Sequence, residues 1–176
     1  MVVRERDDSR RRLGGAVLAV LATFATSLLF GGCQSAPEGG ATASASTSSP
    51  ADVAAVEQAV ARLLQADGDA DLATVLDCYT RDALLLAPDG STFQGSDAIR
   101  AHYVEVFAQL AMKLRATPAE TVVAGKWAWQ RGEVSGTLTM KDGATQAAHD
   151  RYLMVLVLEE GRWRVARLMW QPLEKK

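Results

Sequence analysis

Residues 126–170 read KWAWQRGEVSGTLTMKDGATQAAHDRYLMVLVLEEGRWRVARLMW. Val, Leu, Thr and Trp crowd this stretch, and two turn signals cut it. Asp142-Gly143 is a hairpin dipeptide, because Gly accepts the positive φ that tight turns demand. Glu160-Gly161 turns the chain again. The stretch predicts three long antiparallel strands, Lys126–Met140, Thr145–Leu158 and Trp163–Trp170.

The turns set an expected register. A two-residue Asp142-Gly143 loop puts Val134 opposite Arg151 and Gly132 opposite Leu153. A four-residue loop at Glu159–Arg162 puts Leu156 opposite Val165. Opposite residues share a face. One face then gathers Ala128, Gln130, Val134, Arg151, Leu153, Val155, Leu168 and Trp170, small and apolar with few polar members. The other gathers Trp127, Trp129, Asp150, Tyr152, Met154, Trp163 and Val165 with several charges. Helices are expected on the first face. A single bulge would exchange the faces beyond it. The middle strand is apolar at every position from Tyr152 to Leu158. A strand apolar on both faces calls for cover on both. The expected second cover is another copy of the chain, a homodimer through the Trp127/Trp129/Trp163 face.

Towards the N-terminus the period becomes helical. Ser49 is placed to cap a helix, Pro50 to open it and Asp52 to meet its positive end. Val53, Val56, Val60, Leu63 and Leu64 follow at helical spacing, and Gly68 is the expected stop. Asp69 or Asp71 caps a short second helix carrying Leu72, Val75, Leu76 and Tyr79. Ala83–Leu86 and Thr92-Phe93 form a short hairpin about Pro88-Asp89-Gly90. Ser96 caps a third helix with Ile99, Tyr103, Val106, Phe107 and Leu110. Period two returns at Met112, Leu114 and Ala116. Three helices gathered against an antiparallel sheet define an α+β domain.

The first 32 residues have a different character. Arg4, Arg6, Arg10, Arg11 and Arg12 precede an apolar run, Leu13–Phe30, that stops at Gly31-Gly32-Cys33. A basic start, an apolar middle and small residues before a cut site make a secretory signal. Gly31-Gly32-Cys33 resembles the lipobox of bacterial lipoproteins, with Phe30 where an aliphatic residue is usual. The resemblance implies cleavage before Cys33 and acylation of its thiol and new amino group. Several chains of CH₂ groups, at roughly 0.8 kcal/mol each, make a stable bilayer anchor. An uncleaved membrane-spanning anchor is the alternative, since about 20 residues suffice to span. Gln34, in place of an Asp, points to the periplasmic side of the outer membrane in a Gram-negative envelope. The expected organisation is a removed signal at 1–32, a lipidated Cys33 with a Ser/Ala/Gly/Pro tether to residue 50, and one domain over 51–176.

Of 19 basic and 21 acidic residues, five and three precede Cys33, which leaves 14 against 18. A net acidic domain argues against nucleic acid, which calls for a basic face. With Cys33 acylated, Cys78 is the sole thiol, so no intrachain disulfide is expected. Its apolar neighbours Val75, Leu76 and Tyr79 mark a buried, inert Cys. His102 and His149, the two histidines, lack ligand spacing, so neither a metal nor another cofactor is expected.

The ordered set Gly68-Asp69, Tyr79-Thr80-Arg81-Asp82-Ala83, Asp89-Gly90, Phe93-Gln94-Gly95-Ser96-Asp97-Ala98-Ile99, Asp150-Arg151-Tyr152 and Gly161-Arg162-Trp163-Arg164-Val165 spans nearly all of Ala51–Pro172. It resembles the SnoaL-like, ketosteroid-isomerase-like branch of the nuclear-transport-factor-like superfamily. The resemblance implies a conical α+β fold, a curved antiparallel sheet with three helices on its concave face, a pocket inside the cone, and frequent dimers. It implies no single reaction, because one fold hosts many activities. Enzymes of this kind carry an Asp or His projecting into the cone, often near the end of the last strand. Here those positions are Leu168 and Met169.

An isomerase-type site needs a carboxylate base and a donor for the enolate. Tyr79 and Tyr103 offer phenols. Asp82 matches the family's helix-end Asp, which ties a turn. Asp150 is the candidate base, but the expected register places it outside the cone. No catalytic residue is therefore assigned, and the expectation leans away from an enzyme. The expected ligand-binding set is Tyr79, Tyr103, Gln130, Arg151 and Trp170, around a small, largely apolar ligand. An acid–base isomerase, lyase or hydratase is one alternative. A scaffold or dimerisation domain with a filled cone is the other.

Overall fold

The computed structural model describes residues 49–173. The expected signal, lipidated Cys33 and all but the last two residues of the tether lie outside the described residues. The order is α1 (Pro50–Asp69), α2 (Leu72–Asp77), β1 (Tyr79–Leu86), β2 (Thr92–Gln94), α3 (Gly95–Gln109), β3 (Leu110–Ala124), β4 (Trp127–Met140), β5 (Thr145–Glu159) and β6 (Arg162–Pro172). Six strands form one curved sheet in the order β2-β1-β6-β5-β4-β3, with the helices on one side. The fold is the α+β cone expected. The sheet is mixed, because β1 runs parallel to β6 while its other neighbours are antiparallel.

Local chemistry accounts for most element ends. The Ser49 hydroxyl accepts from the Asp52 amide at 3.1 Å, and Asp71 caps α2 by accepting from the Thr74 amide at 3.1 Å. Several boundaries differ from expectation, and Leu110, expected in the third helix, opens β3. α1 runs past Gly68 and stops at Ala70, which takes the left-handed conformation at φ 53°. Gly68 instead lets α1 lie close to the Met112 carbonyl. The third helix begins at Gly95 rather than at a Ser96 cap, and the Ser96 hydroxyl bonds the Arg81 carbonyl at 3.3 Å. Tyr79 opens β1 rather than ending a helix.

The largest correction concerns register. Met140 donates its amide to the Ala144 carbonyl and Gly143 donates to the Met140 carbonyl, so the hairpin loop has three residues, Lys141-Asp142-Gly143, not two. Gly143 sits at φ 88°, as a three-residue loop ending in a left-handed residue requires. Gln130 then faces Met154, Gly132 faces Tyr152 and Val134 faces Asp150. The slip of one residue turns every β5 side chain to the opposite face. Asp150, Tyr152, Met154 and Leu156 point towards the helices, and Arg151 and Leu153 point away. The second turn has the expected register, with Leu156 opposite Val165. A bulge follows at once, since Val155 faces Arg167. It buries both Val165 and Ala166 and returns Leu168 and Trp170 to the inner face. Trp163, opposite Leu158, packs against the core rather than beside Trp127 and Trp129.

The core lies between helices and sheet. Val56, Val60 and Leu63 of α1, Val75 of α2, Ile99 of α3 and Leu85, Leu156 and Val165 of the sheet are all at most 1 % exposed. Each such side chain stabilises by about 1.5–3 kcal/mol relative to exposure. β3 and β4, paired neighbours in the sheet, approach closely at Gly132 and Gly136. A Cβ at Gly136 would collide with the Lys113 carbonyl, and one at Gly132 with the Thr117 carbonyl. Gly143, by contrast, has open space around it. We expect Gly136→Ala to cost at least about 2 kcal/mol in urea unfolding, through overpacking against backbone. Gly143→Ala should cost less, from strain alone. Equal losses would contradict this account of the close approach.

Candidate active site in the cone

α1, α3 and the inner faces of β1 and β3–β6 enclose a cavity of about 120 Å³. Leu64, Leu85, Val106, Leu114, Met154 and Leu168 give it apolar walls. Asp67, His102, Tyr103, Asp150, Tyr152 and Trp170 supply its polar groups. A wider groove of about 390 Å³ runs along the outer face past Arg131, Glu133 and Arg151. Those three charged groups are exposed, whereas the cone holds the strongly perturbed ones.

Asp67 is the unusual residue. It lies in the last turn of α1, one helical turn beyond Leu63 and Leu64, and is 7 % exposed. Its Oδ1 has no hydrogen-bond partner among the described residues. A carboxylate removed from water resists ionisation. Burial accordingly pushes the Asp67 carboxyl up to about 7, and a hydrogen bond from Tyr103 partly opposes the rise. The Tyr103 and Tyr79 hydroxyls are 2.9 Å apart, with both phenols raised well above their ordinary value, chiefly by burial. Tyr79, Tyr103 and Asp67 thus form one buried polar chain.

The opposite wall carries a second chain. The Tyr152 hydroxyl donates to Gln130 Oε1 at 2.8 Å, and Gln130 Nε2 donates to Thr121 Oγ1 at 3.0 Å. Burial pushes Tyr152 up to about 12. Asp150, half-buried, is also raised by burial, and His149 opposes the shift. Burial lowers the pKa of His102, which stacks on Phe93 with ring centroids 4.1 Å apart. Carboxyls raised and an imidazole lowered are all biased towards neutral forms, which suits a neutral, apolar guest.

Tyr103 and Trp170 line the cavity, Tyr79 backs Tyr103, and Gln130 is fully buried behind Tyr152. Arg151 is corrected: the three-residue loop sends it to the outer groove, away from Tyr103 and Trp170. Asp150 is corrected in the other direction and faces the cone. Asp67, His102 and Tyr152 were absent from the expected site. Asp67 was legible as an acidic residue at core spacing after Val60, Leu63 and Leu64. Cys78 is a buried free thiol whose pKa burial raises. Among the described residues no group of three His, Cys, Asp or Glu is placed to hold a metal.

The family model for the SnoaL-like domain matches residues 60–166. The chain belongs to the SnoaL-like domain family. Solved structures place this SnoaL-like domain among cone folds. A ketosteroid isomerase-like protein from Erwinia carotovora atroseptica is 27 % identical with a TM-score of 0.66, covering 72 % of this chain and all of that one. A conserved protein from Planctomyces limnophilus is 22 % identical at TM-score 0.64, covering 70 % and 98 %. A nuclear transport factor 2 (NTF2-like) superfamily protein from Salmonella enterica is 19 % identical at TM-score 0.62, covering 69 % and 90 %. No match is found among curated proteins.

The burial of Asp67 has a measurable consequence. Its carboxyl has an ordinary value of 3.8 and a folded value of about 7, so between those pH values only the folded chain holds the proton. Stability from this group is complete below about pH 4 and falls as pH rises towards 7. At 1.36 kcal/mol per pKa unit the loss is about 4 kcal/mol. Asp67→Asn should flatten stability between pH 4 and 7 and make the domain more stable than wild type at pH 8 in denaturant titrations. A less stable variant at pH 8 would contradict the assignment.

Proposed function

We propose that the domain binds a small, largely apolar ligand bearing a carbonyl or hydroxyl in the cone, and that Asp67 moves a proton on it. The observation carrying this reading is the buried Asp67 carboxyl, its Oδ1 without a partner among the described residues, beside Tyr103 in an apolar cavity. A pKa near 7 lets one group both accept and donate near neutral pH. With Tyr79 able to donate to the Tyr103 oxygen, Tyr103 turns its one proton from Asp67 to a developing enolate oxygen. Asp150 supplies a second carboxyl on the facing wall. Trp170 and Leu168 give the ligand apolar contact. The cavity, at about 120 Å³, suits a ring-sized guest, since one of roughly 150 Å³ holds benzene. The leaning away from catalysis rested on Leu168 and Met169 near the end of the last strand and on Asp150 facing outward; the first stands, but the inward Asp67 and Asp150 supply carboxyls from other elements and favour the acid–base alternative over both passive binding and a filled scaffold.

Cyclohexanone is a fitting probe, with an apolar ring and one carbonyl. In D₂O at pH 7 the protein should exchange its α-protons for deuterium, followed by proton NMR. Asp67→Asn should slow exchange at least 100-fold, the scale of a lost general base. Tyr103→Phe should slow it less. Exchange unaffected by Asp67→Asn would sink the proton-transfer reading.

Cys33 is the proposed lipid anchor, supported by the Arg-rich start, the apolar run and Gly31-Gly32, and it would hold the domain on the periplasmic side of a bacterial envelope membrane. A homodimer is proposed through the outer sheet face. Trp127 is 56 % exposed there, Met169 48 % and Leu153 39 %. Trp129 remains on that face with Trp127, while Trp163 leaves it for the core. Native mass spectrometry of the protein taken from bacterial membranes should read a dimer of chains beginning at acylated Cys33. Unmodified monomers at micromolar concentration would contradict both.

A further inference from the structure

Beside the cone lies a groove of about 350 Å³ between α1 and β3. Leu64 and Leu114 line both hollows. The Tyr152–Gln130 pair stands between them: Tyr152 lines the cone, the fully buried Gln130 backs the groove, and a 2.8 Å hydrogen bond joins them. Electrostatically the two are also continuous, because the Glu57 charge in the groove helps to raise Tyr152 on the cone wall.

The chemistry of the groove differs from that of the cone. Glu57 and Arg115 carry opposite charges, and Gln65 adds an exposed amide. Val60, Ala116 and Pro118 supply a thin apolar floor. Opposed charges leave the groove without net charge, and with the amide they offer both donors and acceptors. The cone is too small for more than a ring, whereas the groove has about three times its volume.

We propose that cone and groove form one two-part site for an amphipathic ligand: a ring-sized apolar head with an oxygen function in the cone, and a longer, uncharged, hydrogen-bonding tail between α1 and β3. Leu64 and Leu114 form the passage, and the fully buried Gln130 holds Tyr152 in the wall between tail and head. The proposal rests on the cone being the ligand site and adds the tail, its chemistry and its path.

Two probes test it on the full chain: phenol, and phenol carrying a triethylene glycol chain para to the hydroxyl. Calorimetry should show the long probe binding at least tenfold tighter. In amide NMR, phenol should shift signals of Val106, Val134 and Leu168 only, and the long probe should also shift Ala61, Gln65 and Arg115. Ala61 is exposed in the groove and outside the cone. Ala61→Trp should erase the tenfold gain and leave phenol affinity within twofold. Equal affinities for the two probes, or tail shifts elsewhere, would overturn the two-part site while leaving the cone reading intact. Failure of phenol itself to perturb the cone residues would overturn the cone reading and the two-part site together.

Discussion

The turn at Lys141-Asp142-Gly143 fixes what the inside of the cone contains. Its third residue, Gly143, takes φ 88° and closes the hairpin so that Met140 faces Ala144. From there the pairing runs without a break to Trp127 and Val157. Because side chains alternate along a strand, that one loop residue puts Asp150, Tyr152 and Met154 on the helix side. With one residue fewer, Arg151 and Leu153 would fill their places. A buried, unpaired guanidinium at the cone wall would be costly. The bulge at Ala166 then matters in the same way on β6, because it returns Leu168 and Trp170 to the cavity.

Within that frame, the energetics of the site centre on Asp67. An apolar cone gains stability from burying Leu, Val and Met, while a carboxyl in the same place costs stability once ionised. The domain accommodates it by keeping the group near its titration point, with Tyr103 and Tyr79 as a polar chain behind it. The tuning that lowers stability at neutral pH is what suits the group to the proposed proton transfer. A structural role alone would be filled better by Leu or Asn, neither of which carries that cost.

Much of the architecture was legible from residue chemistry. Ser49 and Asp71 cap their helices as their types dictate, and Glu160-Gly161 sets the β5–β6 register. Loop length was not legible. Asp142-Gly143 signals a turn, but Gly suits the last position of both two- and three-residue loops, and the choice reverses a whole strand. Arg151 and Asp150 exchanged roles for that reason alone. The bulge after Val165 has no local signal, since Val165-Ala166-Arg167 lacks the Gly or Pro that would mark it. Asp67 was visible in the helical spacing but was masked by Gly68, which drew the expected helix end to its side. Parallel pairing of β1 with β6 joins segments about 85 residues apart, which no local pattern encodes.

The most direct measurement is a carbon-13 NMR titration of the Asp67 side-chain carboxyl, assigned by comparison with Asp67→Asn. Burial in the cone requires a midpoint near 7, well separated from the exposed carboxylates, and a shift of that midpoint when phenol occupies the cavity. A midpoint near 4, unmoved by phenol, would mean that water reaches Asp67 freely, and the account of the cone as an acid–base site would fail.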